Sequence, residues 1–277
     1  MAVWVCVACG VEHEDSEHPP ISCLICEDER QYVPPGGQRW TTYAERRAAG
    51  AIAQIAVIEP GLHRISVEPH VGIGQQAMLV GTPDGNLLWE PPSYIDDDVI
   101  AAVRALGGVA AVTASHPHLT GASVSWSDAF DGVPVYVASA DRSWIRRPSS
   151  AITLWSGAVE PLPGITLVQC GGHFPGSSML HWADGAAGRG VMLTGDTIFI
   201  GADRTSVSAL RSYPNRIPLP ERAIRTILAA LEPYRYDRLY GSFGQVVDSG
   251  ARHIVLASLE RYIGWIRGDL HGDEPVA

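Results

Sequence analysis

Length, composition and charge exclude several classes of protein. The chain has 277 residues, 46% of them hydrophobic and 18% charged, so it can bury a substantial core and lacks the composition of a disordered protein. Its formal net charge of −10 argues against nucleic acid or an anionic membrane as a partner, because binding phosphates draws on clustered Lys and Arg. No apolar run reaches the ~20 residues of a membrane helix, and the first residues lack the basic start of a signal peptide, so we expect a cytoplasmic protein.

Four of the five cysteines lie within the first 26 residues, as two C-x2-C pairs separated by thirteen residues. Two such turns facing each other supply four thiolates to one tetrahedral ion. A segment this short has too little core to fold alone, so metal binding would provide much of its folding free energy. The pattern predicts a structural zinc ribbon whose ligands are Cys6, Cys9, Cys23 and Cys26.

Three alternatives remain open for these cysteines. Two disulfides would satisfy them, but a reducing cytosol disfavours disulfides. Iron in a rubredoxin-like site would use the same four thiolates. His13 and His18 lie between the two pairs and could substitute as ligands, although four cysteines already complete a tetrahedral shell.

After a linker rich in Pro and Gly at residues 33–42, the pattern predicts alternating helices and strands. Residues 41–49 start with threonines suited to a helix N-cap, and the turn at residues 83–85 predicts a hairpin between two strands. Residues 96–108 have acids first and glycines last, as helices do. Further strands are predicted at 63–69, 76–82, 86–92, 109–115, 133–139, 151–157, 165–171, 179–184 and 190–196, and closing helices at 220–233 and 250–267.

This order of elements predicts an α+β protein in which two sheets pack face to face with helices outside. We divide the chain into a ribbon with its linker at residues 1–45 and a larger domain at residues 46–277. No internal repeat or low-complexity tract interrupts either part.

A second group of candidate ligands follows the predicted strands. His116 and His118 come as the strand at 109–115 ends, and both can face one ion if the chain bends at Pro117. His173 lies in a tight glycine-rich loop between two strands. Asp196 is the first acid after a buried strand.

The segments "SHPH", "GGHFPGSS" and "LTGD", in this order and spacing, resemble the metallo-β-lactamase fold superfamily over residues 50–277. "NLLWEPP" resembles an early strand of the family, with Glu90 where an acid usually stands. The resemblance implies a four-layer αββα sandwich with metal at one edge. It also implies that His116, His118 and His173 form a first metal site and that Asp196 bridges to a second ion.

The chain departs from the family where the second metal site should be completed. The resemblance implies an Asp and a His directly after the H-x-H pair, and these positions are Thr120 and Gly121. A late His is replaced by Ser242 or Phe243. We therefore expect a mononuclear centre of zinc or iron, or a closed one if Asp196 is a fourth ligand. Thr120 can contact a water but cannot accept its proton at neutral pH.

Other candidate residues have less specific surroundings. Cys170 is expected to be a buried structural thiol, His181 to pack beside a sheet and His253 to lie on a helix surface. A loop after Asp196 would overhang the metal and could recognise an anionic substrate, although solvated charges explain it equally well. Its candidates are Arg204, Arg211, Tyr213 and Arg216.

Three hypotheses about function follow. The first is a mononuclear zinc-dependent hydrolase with a small-molecule substrate of unknown identity. The second is a non-catalytic member of the fold that binds a ligand or partner. The third is mononuclear iron chemistry at two histidines and Asp196. A homodimer is compatible with each of them.

Overall fold

Two β-sheets form the centre of the molecule, and helices cover the outer side of each. The computed structural model describes residues 1–270. The core between the sheets and the two layers of helices reproduce the four-layer αββα arrangement, so the predicted α+β fold class is confirmed. No helix within the described residues combines the length and the apolarity that a membrane span requires.

The N-terminal ribbon is built from short elements held together by its own small core. Its two strands pair antiparallel, and the four cysteines pack with Val11 and Ile25. The helix after it has a capping box, in which Thr42 and Glu45 satisfy each other's backbone N–H groups, as the threonines predicted. The elements are β1 (Val5–Cys6), α1 (Leu24–Glu27), β2 (Trp40–Thr41) and α2 (Tyr43–Ala48). Because α2 crosses residue 45, the division of domains there stays a prediction.

The first large sheet has seven strands in sequence order. Its first four strands form an antiparallel meander, and the last three add in parallel. The strands are β3 (Ile52–Glu59), β4 (Leu62–Glu68), β5 (Ala77–Thr82), β6 (Gly85–Trp89), β7 (Ala111–Thr113), β8 (Val135–Ala138) and β9 (Ile152–Trp155). Thr82 pairs with Gly85, which confirms the predicted hairpin.

The helices α3 (Asp97–Ala105) and α4 (Ser123–Ala129) cover the outer face of this sheet. Asp96 caps α3 by accepting the backbone N–H of Val99 at 2.9 Å. Val99 and Val103 lie four residues apart and so face the sheet together.

The second large sheet has six strands in the order β10-β11-β12-β13-β18-β19. They are β10 (Ala158–Leu162), β11 (Ile165–Gln169), β12 (Ser178–Trp182), β13 (Val191–Leu193), β18 (Arg238–Tyr240) and β19 (Val246–Val247). A short turn, α5 (Gly185–Gly188), in which Ala186 and Ala187 have positive φ, joins β12 to β13. The helices α6 (Glu221–Leu231) and α7 (Ala251–Arg267) cover its outer face, with Ile224, Ile227 and Leu231 of α6 buried.

Two small hairpins lie between β13 and α6 in the chain, and Ile200 and Val207 of the first pack with α6 and α7. They consist of β14 (Phe199–Ile200) with β15 (Val207–Ser208), and β16 (Leu210–Ser212) with β17 (Ile217–Pro218). Leu87 and Trp89 from one sheet meet Leu167 and Leu180 from the other in the central core.

The structure contains elements that the sequence pattern did not predict, among them β3, β10, α4 and the six short strands β14 to β19. The loops that matter for function follow the ends of four strands. Glu90 follows β6, His116 follows β7, His173 follows β11 and Asp196 follows β13.

Candidate metal centre

The loop after β7 places two histidines side by side. His116 keeps an extended backbone with φ of −167°, and Pro117 then opens a single turn of 3-10 helix over Pro117–Leu119. Since proline has φ preset near that of a helical turn, the chain bends directly after His116. The rings of His116 and His118 lie 5.0 Å apart between centroids, and both side chains are buried.

Glycines bring the other two candidates to the same place. Gly172 has φ of +86°, and a Cβ there would lie 3.1 Å from the Ile227 side chain, so the loop before His173 needs glycine. Gly195 has φ of +52°, and a Cβ there would collide with Ser115. The glycine in "LTGD" therefore lets Asp196 approach the histidine loop.

These four side chains each offer one ligand atom, and the four atoms all lie within 4.8 Å of one another. His173 Nε2 is 3.3 Å from His118 Nδ1, and Asp196 Oδ2 is 3.5 Å from His116 Nε2. A tetrahedral zinc ion with bonds of about 2.0–2.1 Å would separate its ligand atoms by about 3.3 Å. The spacing therefore fits a single ion held by His116, His118, His173 and Asp196.

The state of the hydrogen bonds also favours a cation. His116 Nε2 is buried and has no hydrogen-bond partner, although buried polar atoms normally have one. Burial, reinforced by the neighbouring His173, holds the pKa of His116 well below its usual range. Burial also lowers the pKa of His173 to about 4 and raises that of Asp196 to about 7. The imidazoles are thus neutral at pH 7, which is the form that binds metal.

A buried chain of hydrogen bonds fixes the orientation of His116. The Ser115 hydroxyl donates to Glu90 Oε1 at 2.7 Å, and Ser115 Oγ also lies 2.8 Å from His116 Nδ1. When Ser115 directs its hydrogen at Glu90, its oxygen accepts from His116 Nδ1–H, and this tautomer leaves Nε2 free to bind a metal. Burial raises the pKa of Glu90 to about 8.

Positions 120 and 121, where the resemblance implies ligands of a second metal, hold Thr and Gly. Gly121 has φ of +48°, and a Cβ there would collide with the Pro91 carbonyl, so no larger residue fits. The Thr120 hydroxyl donates to the Pro117 carbonyl at 3.0 Å, and its contact with a water stays a prediction. Among residues 1–270 only the pocket and the ribbon bring together three or more potential ligands.

The ribbon cysteines form the second group of potential metal ligands. Cys6 Sγ is 3.6 Å from Cys26 Sγ, and Cys9 Sγ is 3.7 Å from Cys23 Sγ, so these are thiols and not disulfides. Zinc bound to four sulfurs at about 2.3 Å would separate them by about 3.8 Å. The Cys26 thiol, followed by Cys6, holds the pKa of Cys23 far below its usual range by hydrogen bonding.

Two side chains outside the set of four touch the ribbon sulfurs. His13 Nε2 lies 3.6 Å from Cys23 Sγ, so it is a neighbour of the ligand set. The Gln38 amide donates to Cys6 Sγ at 3.1 Å. His18, which the sequence suggested as a substitute ligand, is exposed and is not part of this group.

The remaining sequence candidates, Cys170, His181 and His253, lie outside the metal centre. Cys170 is buried, and burial raises the pKa of its thiol to about 12, in agreement with a structural role. His181 lies in β12 within 2.8 Å of the Arg235 carbonyl, and His253 is exposed on α7. Neither belongs to the metal centre.

Among the candidates in the loop after Asp196, Tyr213 contacts the candidate metal centre. Its hydroxyl donates to the Asp196 carbonyl at 3.0 Å, and its ring lies 5.6 Å from that of His173. Arg211 pairs with Glu29, while Arg204 and Arg216 are exposed at positions with positive φ. Recognition of an anionic substrate by these arginines stays a prediction.

Sequence reasoning missed Arg30, Phe174 and Ser115. The Phe174 ring lies against both His116 and His118, and the Arg30 guanidinium stacks on Phe174 at 3.7 Å. Ser115 could have been found, because a polar residue directly before a histidine ligand often orients it. Arg30 carries no local signal, since its role depends on how the ribbon docks.

Comparison with solved structures defines the fold. The metallo-β-lactamase SMB-1, in a complex with mercaptoacetic acid, matches with a TM-score of 0.53 at 17% identity over 78% of this chain and 97% of that one. FIM-1 from Pseudomonas aeruginosa, in its mono-zinc form, matches with a TM-score of 0.56 at 14% identity over 76% and 96%. The chain has the metallo-β-lactamase fold, and the resemblance in its motifs is confirmed at that level.

The family follows from a relative with much higher identity. YmaE of Bacillus subtilis (strain 168), described as an uncharacterized protein, is 42% identical over 272 residues, which cover 98% of this chain and 99% of YmaE. The chain belongs to the family of YmaE. No protein-family model matches it.

Proposed function

We propose that the protein is a mononuclear zinc-dependent hydrolase of a small-molecule substrate. The observation that carries this proposal is the convergence of three imidazole nitrogens and one carboxylate oxygen within 4.8 Å at the edge of the sandwich. Its likeness in fold to metallo-β-lactamases, one of them described in a mono-zinc form, supports the same reading. A fold does not specify a substrate, so lactams are only one class to test.

Zinc, when bound at such a centre, lowers the pKa of a coordinated water to about 7 and polarises a substrate carbonyl or phosphoryl group. The protein supplies neutral imidazoles, and Ser115 with Glu90 keeps His116 in the tautomer that binds through Nε2. Tyr213 holds the backbone of Asp196. All four side chains are buried, so their ligand atoms face the pocket interior and not the open surface.

The position that would carry a general base in the family is Thr120. Its hydroxyl cannot take a proton at neutral pH. A positioned base contributes about 10²–10⁴ in rate, so we expect slower turnover than in a member with a carboxylate there.

A screen of esters, thioesters, lactams and phosphodiesters tests the proposal. We expect zinc-dependent turnover of at least one class that His118→Ala abolishes. His253→Ala removes an exposed histidine from α7 and serves as the matched control, with turnover retained. Turnover that survives His118→Ala would refute the assignment.

A specific observation favours a second candidate, a non-catalytic member that binds a ligand or partner. Its four potential ligands are 1–7% exposed, and Asp196 can complete a closed tetrahedral shell, which leaves no position for a reacting group. A third candidate is an iron protein, because the same ligand atoms of the pocket or the ribbon can bind iron. A colourless purified protein that contains zinc would exclude iron, and absence of turnover across the screen would favour the non-catalytic candidate.

We also propose that the protein works in the cytoplasm. The five cysteines are free thiols within the described residues, which suits a reducing compartment. We likewise propose a small-molecule substrate and a homodimeric state.

A further inference from the structure

The N-terminal ribbon contacts two of the three loops that carry the pocket ligands directly, and it contacts the hairpin whose Tyr213 holds the third. We propose that the ribbon acts as a clamp that positions these ligands, with Arg30 as its main link, so that metal binding at the four cysteines and at the pocket is coupled. This inference rests on metal binding in the proposed function and not on hydrolysis. Arg30 is a positioning residue, because it acts through His173 and Phe174.

Arg30 connects the ribbon to the loop of His173. It follows Cys26 by four residues, is only 7% exposed, and donates from Nη1 to the His173 carbonyl at 3.3 Å. Its guanidinium lies 3.7 Å from the centre of the Phe174 ring, within the range of cation–π attraction. Asp28 holds it through bonds of 2.5 and 2.9 Å. A buried, charge-paired arginine of this kind has one well-defined position.

Phe174 links the position of Arg30 to the loop of His116 and His118. Its ring centre is 4.8 Å from that of His118 and 5.6 Å from that of His116. A change in the position of Arg30 would therefore change the packing around three candidate ligands. Close-packed interiors transmit such displacements, because they contain few voids.

Glu12 connects the ribbon to the loop of His116 and His118. Its backbone N–H donates to the Gly121 carbonyl at 3.0 Å, at the end of that loop. Its carboxylate accepts from the backbone N–H of Val124 at 2.6 Å, and from Arg147 Nη1 at 2.9 Å. Glu12 is 3% exposed, so this is a buried anchor and not a surface ion pair.

Glu29 connects the ribbon to the hairpin of β16 and β17, which contacts Asp196 through Tyr213. Its backbone carbonyl accepts from the Ser212 hydroxyl at 2.8 Å and from the Asn215 amide at 2.7 Å. Tyr213, between these two residues, donates to the Asp196 carbonyl. The ribbon thus contacts the loops of His116, His118 and His173 directly and is linked to Asp196 through Tyr213.

Coupling between the two centres follows from these links. A ribbon this short depends on its metal for its folded shape, so the positions of Glu12, Glu29 and Arg30 depend on that metal too. If ribbon metal raises the affinity of the pocket by some factor, pocket metal raises the affinity of the ribbon by the same factor.

Cobalt titration of the full-length protein tests the clamp, because thiolate and imidazole sites have different absorption spectra. With the ribbon loaded, Arg30→Ala should weaken cobalt binding at the pocket by about 10-fold or more and speed its release to a chelator, as loss of outer-shell partners does. Arg39→Ala is the matched control, because its side chain is exposed and makes no hydrogen bond or ion pair within residues 1–270. A pocket affinity within about twofold of the unchanged protein would overturn the proposal.

The reciprocal measurement does not depend on the folding of the Arg30 variant. In the unchanged chain, filling the pocket should tighten metal binding at the ribbon by the same factor by which ribbon metal tightens the pocket. His173→Ala should abolish that effect and leave the ribbon with the affinity it has beside an empty pocket. Ribbon affinity that is independent of pocket loading would also overturn the clamp. If the pocket of the unchanged protein binds no metal, the proposed function fails as well; if it binds and the coupling is absent, only the clamp fails.

Discussion

At the scale of single residues, the candidate centre depends on side chains that orient the ligands. The sequence predicted His116, His118, His173 and Asp196 because each follows a strand within a recognisable motif. It did not predict Arg30, because an arginine beside a cysteine pair is ordinary and its contact with His173 spans 143 positions. Local pattern carries no information about such distant partners.

Ser115→Ala tests the hydrogen-bond chain behind His116. The change removes the acceptor of His116 Nδ1–H, and we expect pocket metal affinity to fall by about 10–100-fold. Metal titration measures it, with the exposed Ser156→Ala as the control. Equal affinity in Ser115→Ala and the unchanged protein would show that Glu90 and Ser115 do not set the tautomer.

Asp141→Asn tests the effect of burial on a carboxyl beside the pocket loop. Asp141 Oδ1 accepts from Gly176 N–H at 2.8 Å, its Oδ2 has no partner within the described residues, and burial raises its pKa to about 6. Because the pKa is raised, the folded state prefers the protonated form, so this group costs stability as pH rises from about 4 to about 6. A shift of about 2 units corresponds to about 3 kcal/mol at most.

The asparagine variant keeps the bond to Gly176 and cannot ionise. Its free energy of unfolding relative to the unchanged protein should therefore increase between about pH 4 and pH 6 and stay level above that range. Denaturant unfolding at several pH values measures this difference. A difference that is constant with pH would contradict the raised pKa.

At the scale of elements, strands and helices with strong periodicity were predictable and short or exposed ones were not. The helix α3 has acids in its first turn and buried residues at regular spacing, and it forms as expected. The edge strand β3 exposes Ile52 and Val57, so it lacks the alternation that marks a half-buried strand. The helix α4 has seven residues, three of them serines, and forms through packing against the first sheet.

Gly121→Ala tests whether position 121 can hold a side chain, as a ligand of a second metal would require. The residue has positive φ, and a Cβ would collide with the Pro91 carbonyl, so we expect a loss of at least about 2 kcal/mol in the free energy of unfolding. Gly132→Ala is the control, because Gly132 also has positive φ, of +74°, but faces open space. It should cost only about 1 kcal/mol. Similar losses at both positions would mean that backbone conformation alone excludes a side chain at position 121.

At the scale of the whole molecule, the ribbon packs against the edge of the sandwich where the second group of candidate ligands lies. The sequence predicted two separate groups of ligands, and both groups are assembled in the structure. It could not predict that the ribbon docks beside the pocket, because that arrangement depends on buried contacts such as those of Glu12 with α4.

Element-resolved metal analysis tests the central claim most directly. The account predicts about two zinc ions per chain, one of them lost in His116→Ala or His173→Ala while the ribbon ion remains. His253→Ala should keep both ions. A pocket that stays empty in an excess of zinc, with metal at the cysteines alone, would contradict the account.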